Sequence, residues 1–252
     1  MDNDTKLLNL ALDAGEIMLM SGAETYRVQD TMLRILSVSG REKIEALALS
    51  TMLIVSLPRE EKGPLSMARG VHDRSVNFEK ICAVNEMSRS FVSGHISLEE
   101  AMIVLQNIHN APRFSSLATI LSYSLTSGGL TLVYNGNLLD GLIAFVIGLI
   151  LGVAAVLNNK WKTPYFFIPF LGGVITGMLT MFSHILLPEA QVDMIIVGSI
   201  MPLLPGLTLT KSIRDILEGN FISGTSRLVE ALLVACGIAG GVALGIALVS
   251  TK

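Results

Sequence analysis

The chain has 252 residues, 51% of them hydrophobic and only 15% charged, with a net charge of −3. That balance argues against a nucleic-acid partner, which would call for a basic surface, and two cysteines supply neither a disulfide framework nor a metal-ligand spacing. The net charge belongs to residues 1–113, where 15 acidic side chains face 12 basic ones, while the remainder balances six against six.

Residues 1–113 read as an α+β unit, long enough to bury a core of its own. Thr5–Met20 places Leu7, Leu10, Ala14, Ile17 and Met18 on one helical face. Its neighbours Asp2, Asp4, Asp13 and Glu16 are wrong for a hydrophobic leader, so no cleavable signal peptide is expected. Ser21-Gly22-Ala23-Glu24 fits a capping box that opens a second helix, running to about Val38 and stopped by Gly40. Ala46–Leu57 is rich in β-formers and is expected to hold one strand, with Leu65–Val71 as its hairpin partner. Two more helices follow, about Phe78–Val92 and Leu98–Ile108, the second opened by the box Ser97-Leu98-Glu99-Glu100. Asn110-Ala111-Pro112 then breaks the chain.

From residue 114 to 252 the sequence is almost continuously apolar. Five stretches, about 116–134, 138–157, 165–187, 194–210 and 228–249, approach the roughly 20 residues that a helix needs to cross about 30 Å of hydrocarbon. They lack the alternation of barrel strands, so helices are the expected solution. Lys160 and Lys162 lie between the second and third stretches, and Lys211, Arg214 and Arg227 between the fourth and fifth. The other two connections carry no basic residue. The positive-inside rule then puts the N-terminal domain in the cytoplasm and the C-terminus outside, in a multi-pass cell-membrane protein. The expected fold class is an α-helical membrane protein, a five-span transmembrane bundle behind an N-terminal cytoplasmic α+β domain.

The fourth stretch is the least regular. Pro202, Pro205 and Gly206 fall near mid-depth, and proline removes a helix donor and clashes with the preceding turn. A broken helix at membrane depth survives only where protein or a polar cavity satisfies the freed groups. The half-helix expected to begin near Thr208 would aim its positive end at a carboxylate. Ser199, Thr208 and Thr210 add hydroxyls, and Lys211 and Arg214 could counter a carboxylate at the inner mouth or anchor to headgroups. Together they are the candidate substrate pathway. Asp140, His184 and Glu230 are ionisable groups near the bilayer, each either an interfacial residue or a proton-coupling group. Pairs of glycines four apart, Gly148/Gly152, Gly173/Gly177 and Gly237/Gly241/Gly245, suit close helix packing.

In the N-terminal domain Glu24, Arg27 and Asp30 recur every third residue, followed by Arg34. The face could hold a carboxylate-rich site, but a capping box followed by a surface ion-pair ladder is the stronger explanation of the same residues. His72-Asp73, His95 and His109 are scattered without metal-ligand spacing, and no glycine-rich phosphate loop supports ATP-driven pumping. No cofactor or metal is expected.

The segment Ser21-Gly22-Ala23-Glu24-Thr25-Tyr26-Arg27-Val28-Gln29-Asp30-Thr31-Met32 resembles the N-terminal signature of the threonine/serine exporter family. Ser93-Gly94, Pro202-Leu203-Leu204-Pro205-Gly206 and Ser223-Gly224 with Arg227 resemble later family features in the same order. The resemblance implies a secondary exporter of small polar metabolites, driven by the proton gradient. It also implies a second membrane half, fused in long members and separate in split ones, some of which are associated with dicarboxylate (succinate) export. With five spans, a fused half would be inverted, the arrangement that encloses a midplane site. The expected partners are the lipid bilayer, a small-molecule substrate, and a second membrane subunit or further copies of this chain. A membrane-tethered hydrolase and a sensor or scaffold remain as alternatives from other classes.

Overall fold

The computed structural model describes residues 2–59, 63–71, 76–111, 115–161 and 167–250, without the side chains of residues 159–161. His72-Asp73, Lys162, the side chain of Lys160 and the opening of the third expected span at 165–166 lie outside the described residues. The chain forms two units, one of Met1–Pro112 with Thr210–Leu228 and one of Arg113–Leu209 with Val229–Lys252.

In the first unit, helix α1 (Asn3–Met20) is apolar on nearly every side and runs through the core, with Leu8, Leu10, Ala11, Leu12 and Met18 fully buried. It packs against α2 (Thr25–Ser37), α3 (Phe78–Val92), α4 (Leu98–Asn110) and an antiparallel sheet ordered β1 (Glu45–Ala48), β2 (Met52–Leu57), β3 (Leu65–Gly70). Gly15 makes room for α2, because a Cβ there would lie 2.7 Å from the sulfur of Met32 and that side chain would have to shift. Central strand β2 turns Leu53, Val55 and Leu57 inward and pairs Leu57 with Leu65 of β3 and Ser56 with Glu45 of β1.

Two local expectations need correction. Ala46–Leu57 is two strands, not one. The chain reverses at Leu49–Thr51, where no glycine, proline or asparagine announces a turn; the buried Ser50 amide instead donates to the Ser223 hydroxyl at 3.1 Å. The Ser21 capping box does not form either. Ser21 ends α1, Gly22 takes the left-handed conformation (φ 85°), and Glu24 itself is the N-cap of α2. The second box does form: Ser97 Oγ accepts from the Glu100 amide at 3.3 Å, and the Ser97 amide donates to Glu100 Oε2 at 2.7 Å.

The second unit is helical throughout its described residues. Helices α5 (Ser116–Val133), α6 (Leu138–Trp161), α7 (Phe167–Leu186) and α10 (Phe221–Ser250) are long and apolar enough to cross a membrane. A fifth crossing arises if α8 (Val192–Ile200), the 3-10 turn Met201–Leu203 and α9 (Gly206–Leu217) count as one bent span. Glycine spacing sets the closest contacts. A Cβ on Gly177 would sit 2.4 Å from the Val242 carbonyl oxygen, and one on Gly241 would sit 2.2 Å from that of Phe170, so α7 and α10 meet backbone to backbone. Gly148 does the same for α6 against Ser127 and Tyr123 of α5.

Candidate functional site

The proline motif breaks the chain as its chemistry demands. Pro202 lies in the 3-10 turn. Leu204 is extended (φ −65°, ψ 138°), the conformation forced on a residue before proline. Gly206 opens α9, two residues ahead of the expected start at Thr208, and the Pro205 carbonyl accepts from the Leu209 amide at 2.9 Å. The helical pieces on either side are bent by 59°. Thr208 is half-buried and Thr210 exposed.

Just before the break, Ser199 is fully buried and its hydroxyl has no hydrogen-bond partner. Three other hydroxyls of the same unit share that condition: Ser127 on α5, and Thr176 and Thr180 one turn apart on α7. Helices α5 and α7 both pack on α8. The approach is tightest at Gly198, where a Cβ would lie 1.9 Å from Thr131 Oγ1. Thr131 satisfies its own hydroxyl by donating to the Ser127 carbonyl at 2.8 Å. A buried polar group left without a partner costs about 1–3 kcal/mol, so such groups persist where water or a solute completes them. Among the described residues this unit buries no lysine or arginine and one carboxylate, Asp140. Both Asp140 oxygens are bonded to backbone amides, so among the described residues the unpartnered buried side-chain atoms of this unit are these four neutral hydroxyls, of which Ser199 adjoins the interrupted helix. Ser127, Thr176 and Thr180 were not singled out in the sequence, although hydroxyls at helical spacing inside apolar runs were the available signal.

The ionisable candidates take structural positions. Asp140 accepts from the Asn137 amide through Oδ2 and from the Gln191 amide through Oδ1, both at 2.9 Å, and its own amide donates to Asn137 Oδ1. It caps α6 and ties down the start of α8. His184 donates from Nδ1 to the Ala190 carbonyl at 2.9 Å, which fixes the tautomer and closes the turn after α7. Glu230 is half-buried near the start of α10.

In the first unit, the expected pathway cations and the signature residues come together. Arg214 reaches Glu24 at 3.1 Å and lies over the Tyr26 ring, 5.7 Å from its centroid. Lys211 donates to the Gly22 carbonyl and sits 5.6 Å from the Phe78 ring centroid. Arg27 lies 3.8 Å from Glu24, while Asp30 pairs with Arg34 at 2.8 Å on the exposed face of α2, the ladder arrangement. Beneath them is a pair that sequence reading missed. Asp215 is fully buried, accepts from Thr25 Oγ1 at 2.8 Å and from the Thr25 amide at 3.4 Å, and has Arg227 at 3.4 Å, itself nearly buried. Ser212 adds a bond to the Gly224 carbonyl at 3.0 Å. The signature loop is thus docked on the α9–α10 hairpin through charge.

These features define a multi-helix membrane protein whose apolar bundle buries unpaired hydroxyls beside a proline break. The family model described as "Putative threonine/serine exporter" matches residues 9–249, and the chain belongs to that family, one of transporters and not of enzymes. It is 27% identical over 249 residues to the "Threonine/serine exporter" of Corynebacterium glutamicum, covering 96% of this chain and 51% of that protein. It is 23% identical over 246 residues to the "Probable threonine/serine exporter" of Mycobacterium tuberculosis, covering 96% and 46%. An uncharacterized protein of Schizosaccharomyces pombe is 26% identical over 245 residues, covering 92% and 29%. The chain therefore spans about half the length, or less, of the curated relatives it matches. No solved structure matches it.

Proposed function

We propose that this chain is one membrane half of a secondary exporter of small polar metabolites of the threonine/serine type. The observation that carries the reading is the set of buried, unpaired hydroxyls of Ser127, Thr176, Thr180 and Ser199 in the unit that also holds the proline break. A small hydroxylated zwitterion supplies the missing donors and acceptors without bringing net charge into a bundle that, among its described residues, buries no cation. Pro202 and Pro205 carry no amide donor, so with Gly206 they interrupt the helix, and Thr208 adds a further hydroxyl at the start of α9. The family membership and the names of the bacterial relatives support the same substrate class.

In this reading residues 1–113 form a cytoplasmic α+β domain, the C-terminus lies outside, and the partner is a second membrane half or another copy of the chain. Export is coupled to protons, with Asp140, His184 and Glu230 as the ionisable groups nearest the bundle. The N-terminal signature, through Glu24, Arg27 and Asp30, serves docking or gating. Dicarboxylate export is the second reading; its natural cationic partners, Lys211 and Arg214, already serve Gly22 and Glu24.

The test is efflux of labelled threonine and of labelled succinate from proteoliposomes under an imposed proton gradient, with this chain alone and with a second membrane half added. Threonine efflux that falls about tenfold or more in Ser199→Ala and Thr176→Val supports the reading, a loss of about 1.4 kcal/mol of barrier stabilisation. Succinate efflux without threonine efflux transfers it to the dicarboxylate class. Folded protein that moves neither, with or without the second half, refutes it.

A further inference from the structure

Helix α9 is built inside out. Its polar residues Ser212 and Asp215 are buried, and Lys211 and Arg214 turn toward Gly22 and Glu24. The opposite face is apolar and bare. Leu209, Ile213 and Leu217 recur every fourth residue and are 39%, 49% and 81% exposed. Beyond the turn at Gly219, Phe221 and Ile222 open α10 at 63% and 73% exposed. A helix facing water is patterned the other way, with its apolar stripe on the core. Each large side chain left in water forgoes the burial that would otherwise stabilise it.

We propose that Ile213, Leu217, Phe221 and Ile222 form a lipid-seated edge of the first unit, lying in the bilayer interface with their side chains in the headgroup–acyl boundary. An interfacial helix sinks about 5–10 Å and keeps its charged flank among the headgroups. Two observations favour lipid over a protein partner. The patch is continuous in the chain with α10, which runs on from Phe221 as a helix apolar enough to cross the membrane. Arg214 meets Glu24 through one nitrogen, yet its side chain is 56% exposed at the edge of the bare face, so its remaining guanidinium N–H groups can face anionic headgroups. The hairpin that presents Asp215 and Arg227 to the signature loop is then held at the membrane surface, so lipid charge acts directly on that docking. This inference stands apart from what the chain transports.

The experiment uses the full chain with its single tryptophan removed (Trp161→Phe) and a reporter introduced by Leu217→Trp, in phosphatidylcholine–phosphatidylglycerol vesicles. Lipid brominated near the glycerol end of its acyl chain is expected to quench the Leu217→Trp emission about twofold or more, as a shallow interfacial depth requires. Val38→Trp, at the exposed end of α2, is expected to stay unquenched. Phe221→Trp repeats the measurement at a second position, should Leu217→Trp fail to fold. Unquenched emission at both reporter positions overturns the proposal. If that emission is also blue-shifted and the particle enlarged, the face belongs to a second copy or another membrane half.

Discussion

In the first unit a buried carboxylate, Asp215, is met by Thr25 at 2.8 Å and Arg227 at 3.4 Å. In the second, the hydroxyls of Ser127, Thr176, Thr180 and Ser199 are equally deep and meet nothing. The same chain thus handles buried polarity in two ways. Around Asp215 the Thr25 hydroxyl and amide bond one carboxylate oxygen and Arg227 faces the other as an ion pair, and the result is a joint between the signature loop and the α9–α10 hairpin. In the apolar bundle these four hydroxyls are left incomplete, and water or a solute would complete them. The contrast is one of degree, since Ser88 in the first unit also buries an unpartnered hydroxyl and Asp140 in the second is bonded through both oxygens.

The comparison breaks most visibly at the joint. Arg227→Met strands Asp215 as a buried, uncompensated charge and is expected to destabilise the first unit by about 3–5 kcal/mol. The double variant Asp215→Leu with Arg227→Met should recover most of that loss, because removing both charges also removes the desolvation cost. Thermal unfolding of the purified chain, followed by near-ultraviolet circular dichroism, reads both. A double variant as unstable as the single one would mean that the pair is not the source of the stability.

The bundle hydroxyls should respond in the opposite sense. Ser199→Ala and Thr180→Val remove groups that have no partner, so stability is expected to change by less than about 1 kcal/mol, or to rise. A loss above about 2 kcal/mol would show that those hydroxyls are bonded and would erase the contrast between the units. The readout is the midpoint of unfolding in detergent, with efflux measured alongside, because a pathway hydroxyl loses transport while sparing stability.

The smallest effect is acid sensitivity at α4. Hydrogen bonding and charge from Lys6 hold the Glu99 carboxyl below the usual range, and the Ser97 amide and hydroxyl do the same for Glu100. A depressed carboxyl contributes stability that is present above its unfolded pKa, about 4.3, and lost as pH falls through its folded value. The first turn of α4 is therefore expected to fray below about pH 4, seen as faster amide exchange at Leu98–Ala101. Glu100→Ala should show that exchange already at neutral pH.

Much of this was legible in one dimension because it depends on local chemistry. The Ser97 box, the hairpin of β2 and β3, the apolar spans and the glycine faces of α7 and α10 follow from caps, alternation and the lack of a Cβ. The break between α8 and α9 follows from proline geometry, since Pro205 forces Leu204 out of the helix wherever the motif occurs. What only the tertiary structure decided involves residues far apart in the chain. At the turn that splits 46–57 the Ser50 amide bonds the distant Ser223 hydroxyl, and Thr25 bonds Asp215 across 190 positions. No local pattern marks a hydroxyl as unpaired or an amphipathic helix as inside out, because both are defined by what the rest of the fold does or does not bring against them. Sequence determines which groups are polar and how they are spaced; packing determines which of them are left without a partner.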